Sequence, residues 1–398
     1  MSTDNKVPEI RFKGFSGEWC NSELKSLCNS FSYGLNASAI KFDGVNKYLR
    51  ITDIDEKNRH FASSALTSPD ADLSKSNDYL LKNGDILFAR TGASVGKTYI
   101  YNEQDGKVYF AGFLIRASVN DKTNAQFIFQ NTHTHEYAKF VTITSQRSGQ
   151  PGINAKEYSE YQLFTPEEKE QAQIGNYFQK LDSLINQHQQ KHDKLCNIKK
   201  AMLEKMFPKQ GETIPEIRFK GFSGEWEERA ICDLFTVTRG NVLAATKTSP
   251  VPTPDKCFPV YSSQTKNNGL MGFYDRYLFE SAITWTTDGA NAGTVNFREG
   301  KFYSTNVNGV LLSDEGYANK AVAEILNKEA WKHVSHVGNP KLMNNVMSAI
   351  KITVPNSAEE QTAIGNTFQK LDALINQHQQ QITKLNNIKQ ACLSKMFV

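Results

Sequence analysis

The chain has 398 residues, of which 39% are hydrophobic and 22% charged, and 46 basic residues against 42 acidic ones give a net charge of +4. This length predicts two or three domains, and the near balance of charge excludes a protein that binds nucleic acid through bulk positive charge. No run approaches the roughly 20 apolar residues of a membrane helix, so we expect no membrane partner.

The first residues and the cysteines indicate where the protein resides. The segment from Met1 to Pro8 has no apolar stretch, so we expect no secretory signal. The six cysteines are scattered without a CxxC pair, which argues against a disulfide framework and against a zinc ribbon. A reducing environment, and therefore the cytoplasm, is the expected location.

A short motif and a long block each occur twice along the chain. Residues 7–19 recur as residues 214–226 with 12 of 13 positions identical, and residues 171–207 recur as 361–397 with 26 of 37 identical. The order is therefore motif, variable segment and long block, followed by the same again. Because the motif and the long block are repeated while the variable segments differ, one architecture with two specificities is favoured. Duplication followed by drift is the alternative.

The variable segments are predicted to be α/β domains. The first, residues 1–165, carries apolar runs that predict buried strands, and the second, residues 214–355, resembles it in pattern. Neither shows the strand–helix alternation of a doubly wound sheet. The predicted strands are 79–81, 85–90, 111–116, 281–286 and 309–312, and the predicted helices are 124–140 and 319–333.

The long blocks predict two helices, at 166–207 and 356–398, with 208–213 as a linker. Thr165 and Ser357 each precede a glutamate by three residues, which predicts capping boxes with Glu168 and Glu360. Pro208 is expected to close the first helix. A helix of about 40 residues is about 60 Å long at 1.5 Å per residue.

An apolar stripe with a spacing of 3.5 residues predicts that the two helices pair as a coiled coil. An antiparallel pairing would give the chain approximate two-fold symmetry. Polar residues also fall on the stripe, at His188, His192 and His378, which weakens the prediction of a continuous seam. The predicted seam residues are Ile174, Phe178, Leu181, Ile185, Leu195, Ile364, Phe368, Leu371, Ile375, Ile382 and Leu385.

No self-contained catalytic apparatus or metal site is predicted. The segment 92–98, GASVGKT, is one residue too short for a phosphate-binding P-loop, which argues against nucleotide hydrolysis. His188 and His192 lie one helical turn apart, but the second long block has Ile382 in place of His192. His133, His135, His333 and His336 lack carboxylate or cysteine partners at ligand spacing and are interpreted as surface histidines.

Polar glycine loops at matching places in both domains are the candidates for DNA recognition. Hydroxyls, amides and backbone N–H groups can contact phosphates, while arginine and asparagine side chains can read base edges. The alternative is that each loop is only a turn. The candidates are Arg90, Thr91, Ser94, Lys97, Gln146 and Arg147 in the first domain, and Arg239, Asn241, Ser263, Gln264, Lys266, Asn267, Thr287, Asp288 and Asn291 in the second.

Taken together, the motifs resemble those of the specificity subunit of type I restriction-modification systems. The resemblance rests on RFxGFxGEW, GDILFARTGASVGK, ITWTTDGANAGTV and the EQxxIGxxFxxLDxLI…KMF blocks, and it covers residues 7–398. It implies two α/β target recognition domains, joined and separated by two long antiparallel coiled-coil helices.

The resemblance also implies partners and an activity. Members read a bipartite site in double-stranded DNA, one half-site per domain, and are not catalytic themselves. Two modification subunits supply S-adenosylmethionine and adenine methylation, and restriction subunits supply ATP- and magnesium-dependent cleavage, so no cofactor is expected in this chain. A coiled-coil scaffold that binds proteins without sequence-specific DNA binding is the alternative.

The distribution of charge sharpens this expectation. Residues 171–207 hold six lysines and three acidic residues, and residues 361–398 hold four lysines and one, so each block carries +3. The remainder of the chain is therefore 4 − 6 = −2. DNA contacts must accordingly be local, and release of counterions by this chain alone should be modest.

Overall fold

The structure is a computed structural model that describes residues 6–55, 59–62, 65–263 and 266–398. Contacts divide the chain into unit 1, Met1–Gln189 with Gln380–Val398, and unit 2, Gln190–Gln379. Each unit holds one variable domain, the first half of the long helix that follows it, and the last half of the other long helix. Within the described ranges, no helix combines the length and the apolar character needed to span a membrane.

Unit 1 is built on an antiparallel sheet in the order β2-β9-β6-β7, with helices on one face. Its strands are β1 (Cys20–Glu23), β2 (Cys28–Tyr33), β3 (Ser38–Lys41), β4 (Lys47–Leu49), β5 (Thr67–Asp70), β6 (Asp85–Ala89), β7 (Thr98–Ile100), β8 (Val108–Phe110), β9 (Leu114–Val119) and β10 (Gln162–Thr165). Its helices are α1 (Ala125–Asn131), α2 (His135–Thr144), α3 (Ala155–Ser159) and the start of α4 (Glu168–Lys205).

The central strand β6 is buried on both faces, which explains its continuous apolar sequence. Ile86 and Phe88 point to the core that contains Phe127 and Ile174, whereas Leu87 and Ala89 join a second apolar cluster on the opposite face. The α4 stripe therefore packs into the core of the domain as well as against the other long helix.

Unit 2 contains a mixed sheet in the order β12-β17-β15-β16-β13-β14, in which only the described β13–β16 pair is parallel. Its strands are β11 (Glu227–Ala230), β12 (Thr236–Arg239), β13 (Phe258–Tyr261), β14 (Leu270–Tyr274), β15 (Phe279–Thr286), β16 (Val295–Ser304), β17 (Asn308–Leu312) and β18 (Lys351–Val354). Its helices are α5 (Ile231–Leu234), α6 (Lys320–Ala330), α7 (Asn344–Ala349) and the start of α8 (Ala358–Met396).

The long helices run antiparallel within each unit. In unit 1 Lys389 Nζ lies 2.7 Å from Asp182 Oδ1, and the Tyr177 hydroxyl lies 3.7 Å from Cys392 Sγ. Residue numbers thus fall along α8 as they rise along α4. Unit 2 shows the same direction, because Lys199 contacts Asp372 and the ring of Phe207 stacks on that of Phe368.

The repeated RFxGFxGEW motif holds the two helices against each domain. In unit 1 Arg11 donates two hydrogen bonds, of 2.7 and 2.6 Å, to the buried Glu170 at the start of α4. Trp19 of the same motif packs edge-on to Phe397 beyond the end of α8. The motif is therefore a structural clamp.

Unit 2 repeats the clamp with its own copy of the motif. Arg218 donates two hydrogen bonds of 2.6 Å to the buried Glu360 at the start of α8. Trp226 packs edge-on to Phe207 beyond the end of α4. The identical parts of the two half-chains thus make identical contacts.

Three local predictions were wrong. The predicted helix 124–140 is two helices, because Thr134 caps α2 through a hydrogen bond from the Tyr137 N–H and ends the first segment. Residues 79–81 form no strand, since Asn77–Tyr79 is a 3-10 turn and Leu80 makes one bridge to Tyr109. Strand β9 begins at Leu114, three residues after the predicted start.

The predicted cap at Thr165 was also wrong, whereas that at Ser357 was confirmed. Thr165 ends β10, and its hydroxyl bonds to Ser22 across the sheet. The Ser357 hydroxyl accepts a hydrogen bond from the Glu360 N–H. The Glu360 side chain is held instead by Arg218, which donates a hydrogen bond to each of its carboxylate oxygens.

Candidate nucleic-acid interface

The glycine loop of unit 1, residues 90–97, is fixed by a second loop. The Gly92 N–H donates to the Pro151 carbonyl at 3.0 Å, and the Ile153 N–H donates to the Arg90 carbonyl at 2.9 Å. The structure therefore brings residues 90–97 and the segment around Pro151 together at the end of β6.

Two buried tyrosines hold the end of this loop. The Tyr158 hydroxyl donates to the Ala89 carbonyl at 2.7 Å and accepts from the Gly96 N–H at 3.1 Å. The Tyr137 hydroxyl donates to the Gly96 carbonyl at 3.1 Å. Burial raises the pKa of both phenols, so they stay protonated and keep donating. The loop is accordingly a rigid platform.

The same framework makes the loop unsuitable as a P-loop. A P-loop cradles phosphate with free backbone N–H groups, yet four of the N–H groups here donate to protein carbonyls. These donors and acceptors are Gly92 to Pro151, Val95 to Gly92, Gly96 to Ala89, and Lys97 to Ser94. This arrangement argues against a free-standing nucleotide enzyme.

A half-buried cation and two exposed aromatic rings lie beside the glycine loop. The Arg90 guanidinium sits 5.0 Å from the centre of the Tyr33 ring, and the Arg90 N–H donates to the Phe113 carbonyl. Tyr33 is 42% exposed and Phe113 is 57% exposed. Arginine over an exposed aromatic ring is suited to contact bases or sugars. Sequence reasoning had found Arg90 but missed both rings.

The other candidates of unit 1 differ in availability. Arg147 forms an ion pair with Glu157 and donates to the carbonyls of Thr144 and Gln146 at 2.9 Å. The Gln146 side chain is exposed. Thr91, Ser94 and Lys97 are half-buried, and Lys97 is engaged by a neighbouring group.

Unit 2 repeats the loop framework with different side chains. Its glycine loop, residues 287–294, receives the same bonds, because the Gly289 N–H donates to Pro340 and the Leu342 N–H donates to Thr287, both at 2.9 Å. Gly293 closes the loop as Gly96 does, donating to the Thr286 carbonyl at 2.9 Å.

Substitution of Gly293 by alanine is expected to destabilise unit 2 more than the same change at Gly289. Both glycines have positive φ, +86° and +91°, which costs an L-residue about 1–2 kcal/mol. A Cβ at Gly293 would also lie 2.8 Å from Val334 Cγ2, which adds about 1–3 kcal/mol of overpacking, whereas Gly289 has open space. Urea denaturation of both variants tests this, and equal losses would contradict it.

Most candidates of unit 2 gather at one end of its sheet. Arg239 is exposed at the end of β12, and the Asn241 N–H donates to the Ser304 carbonyl at 3.0 Å. Thr287 is fully buried, with its hydroxyl 2.6 Å from Asp288 Oδ2 and 3.0 Å from the Val307 carbonyl oxygen. Thr287 is therefore better placed to hold the loop than to touch a ligand.

Two of the remaining candidates, Ser263 and Asn291, line a polar cavity. The Asn291 amide donates to the Ser263 carbonyl at 3.4 Å. Asn267 is exposed with φ of +52°. Gln264 lies outside the described residues, and only the backbone of Lys266 lies inside them. Arg298, which also lines the cavity, was missed by sequence reasoning.

The histidines form no metal-binding group. In the described segments no three His, Cys, Asp or Glu side chains are close enough to hold a metal ion. The interpretation of His133 as a surface residue was wrong, because its ring packs edge-on to Phe129 and burial lowers its pKa to about 3. His133 is therefore neutral at pH 7.

The fold and the paired loops define a protein with two similar recognition domains carried on two long antiparallel helices. The model of the type I restriction modification DNA specificity domain matches residues 16–197 and 223–387. The chain belongs to this family.

Comparisons with individual proteins agree with this assignment. The Mycoplasma pneumoniae protein named type I specificity subunit S.MpnORF289P N-terminus is 40% identical over 126 residues, 31% of this chain and 65% of that protein. The MpnII specificity subunit of the same organism is 38% identical over 100 residues, 24% of this chain and 30% of that protein. The chain thus spans less than two thirds of either relative.

One solved structure resembles the whole chain. The S subunit of a type I restriction-modification system from M. genitalium aligns with a TM-score of 0.69, covering 98% of this chain and 99% of that one at 15% identity. This likeness concerns the fold. It confirms the predicted class, two α/β domains with two long paired helices.

Proposed function

We propose that this chain is the DNA-binding specificity subunit of a type I restriction-modification complex and reads a bipartite target, one half-site per domain. The observation that carries this proposal is that the two units share one loop framework but differ in the side chains it presents. The Gly34 N–H donates to the Leu114 carbonyl in unit 1, and the Gly240 N–H donates to the Asn308 carbonyl in unit 2. These glycines are therefore equivalent, and the residues before them, Tyr33 and Arg239, occupy equivalent positions in the two domains. One scaffold with two sets of contact residues fits two half-sites of different sequence.

The chain acts through partner subunits in this proposal. It directs two modification subunits, which bind S-adenosylmethionine and methylate adenine, and restriction subunits that use ATP and magnesium. The chain itself is not catalytic and works in the cytoplasm. The small net charge of +4 supports a reader whose tight binding depends on that assembly.

Selection from a library of random DNA duplexes tests the proposal. At low salt, the purified full chain is expected to enrich one motif made of two half-sites with a fixed gap. Arg239→Ala should relax the specificity at one position of a single half-site by about tenfold or more, the loss typical of one base contact. Arg229→Ala is the matched control, because Arg229 is a half-buried arginine on β11 that pairs with Glu227 away from the loops.

One outcome would contradict the proposed DNA binding, and another would contradict only the place of the reading surface. Absence of any enriched motif would favour the interaction scaffold instead. A motif in which Arg239→Ala and Arg229→Ala act alike would leave the chain a DNA reader but remove the glycine loops as the reading surface.

A further inference from the structure

A polar cavity of about 90 Å³ lies against one face of the unit 2 sheet. Thr284 and Thr286 of β15 and Asn296 and Arg298 of β16 line it, together with Asn308 at the start of β17. Residues two apart on a strand point to the same face, so these side chains converge on the cavity. None of its described lining residues is acidic.

The corresponding positions of unit 1, at the end of β6, are apolar, although Arg116 lies 3.7 Å from Asp85 farther along the same face. Strand pairing sets the correspondence, since Ala89 pairs with Leu114 in unit 1 as Thr286 pairs with Asn308 in unit 2. Ala89 and Leu114 belong to a buried hydrophobic cluster that also contains Leu87. The fold therefore does not require polar groups here, and their presence in unit 2 needs a separate cause.

Arg298 is the feature of the cavity that indicates the ligand. The residue is 7% exposed. Its Nε donates to the Thr284 hydroxyl at 3.1 Å, and its guanidinium lies 3.8 Å from the centre of the Tyr261 ring. Among the described residues no carboxylate forms an ion pair with it. Burial lowers its pKa to about 10, so the group is still charged at neutral pH.

A buried cation without a counter-charge is costly, and an anionic ligand would offset that cost. The surrounding hydroxyls and amides add hydrogen-bond donors of the kind that bind phosphate oxygens. An extruded base is a poorer fit, since such bases stack between aromatic or apolar side chains. The described lining of the cavity has no aromatic residue.

We propose that this cavity is an oxyanion site in which Arg298, together with the Thr286 hydroxyl and the Asn308 amide that line the same cavity, binds one phosphate group. The phosphate is either free or part of a DNA backbone. The second source rests on the proposed function, whereas binding of free phosphate does not.

Calorimetric titration of the full chain with inorganic phosphate, in a buffer free of phosphate, tests the site. Saturable binding with one site per chain is expected. Arg298→Met should weaken it at least tenfold, which is about 1.4 kcal/mol. Arg276→Met is the matched control, because Arg276 also lies over a tyrosine ring and loses the same charge but is exposed and paired with Asp275.

A second variant guards against a folding defect. Asn308→Leu installs the residue that unit 1 has at the paired position and preserves size. Thermal melts and circular dichroism should show both variants folded, with Arg298→Met at least as stable as the parent, and Asn308→Leu should also weaken phosphate binding. Wild-type affinity in both folded variants, or no saturable phosphate binding by the parent chain, would overturn the proposal.

The source of the phosphate is distinguished with the selected duplex. If a DNA phosphate occupies the site, Arg298→Met should lower the slope of log affinity against log salt by about 1, while Arg276→Met leaves it unchanged. An unchanged slope with lost phosphate binding assigns the site to free phosphate. Phosphate binding without any selected duplex would overturn the proposed function and leave the site standing.

Discussion

Replacement of Arg11 by methionine is expected to lower the free energy of unfolding of unit 1 by about 3–5 kcal/mol, the usual cost of removing one partner of a buried ion pair. Glu170 is fully buried and accepts two hydrogen bonds from Arg11. Arg11 also donates to the Gly17 carbonyl at 2.6 Å, which closes its own motif. Without the arginine, a carboxylate would remain in the core with no cation beside it.

Two further variants make this expectation sharp. Arg218→Met removes the equivalent cation of unit 2, where Glu360 is 1% exposed, and should cause a loss of similar size there. Glu9→Gln removes an exposed partner of Lys395 and should cost less than about 1 kcal/mol. Hydrogen exchange read by mass spectrometry assigns each loss to its unit. A loss below 1 kcal/mol for Arg11→Met would show that the clamp does not depend on this pair.

The clamp shows how far sequence alone could go. The two copies of RFxGFxGEW were evident from the sequence, but nothing local in residues 7–19 indicates that Arg11 meets Glu170 or that Trp19 meets Phe397. Such contacts join positions more than 150 residues apart. The sequence therefore predicted that the two copies of the motif have the same role, and only the structure revealed which residues they contact.

Errors in the local predictions have the same physical origin. Threonine is a residue type that often caps helices, but Thr165 is the last residue of strand β10 and pairs there with Cys20 of β1. The apolar stripe of the long helices was read as a coiled-coil seam, and Ile174 and Phe178 lie in the core of the recognition domain as well. Local propensity was correct where no distant partner competed for the residue.

The candidate site, too, could be predicted only where its signal was local in the sequence. The glycine loops were visible as polar segments after apolar strands, and the structure places them at the ends of β6 and β15. Arg298 gave no such signal on its own. A signal did exist in the spacing of polar residues along these strands. Thr284 and Thr286 on β15, and Asn296 and Arg298 on β16, are polar residues two positions apart on strands whose other face is buried.

Insertion of seven residues into each long helix, after Gln189 and after Gln379, is expected to change the gap between the half-sites and to leave the half-sites unchanged. Seven residues preserve a stripe with a period of 3.5. The contacts on either side, Lys389 with Asp182 and Lys199 with Asp372, stay within their own units. The added length is about 10 Å per helix, and because base pairs rise 3.4 Å, the gap should change by at most about three base pairs.

If the chain acts in the proposed complex, mapping of methylated adenines in a host that carries it with modification subunits measures the gap directly. The matched control inserts the same seven residues into α4 alone, which shifts α4 against α8 by two helical turns and should abolish methylation rather than move it. An unchanged gap after the paired insertion would refute a role for the helices as a ruler. A changed half-site would instead mean that the helices, and not only the glycine loops, contribute to the reading of bases, because the insertion leaves residues 90–97 and 287–294 and their hydrogen bonds untouched.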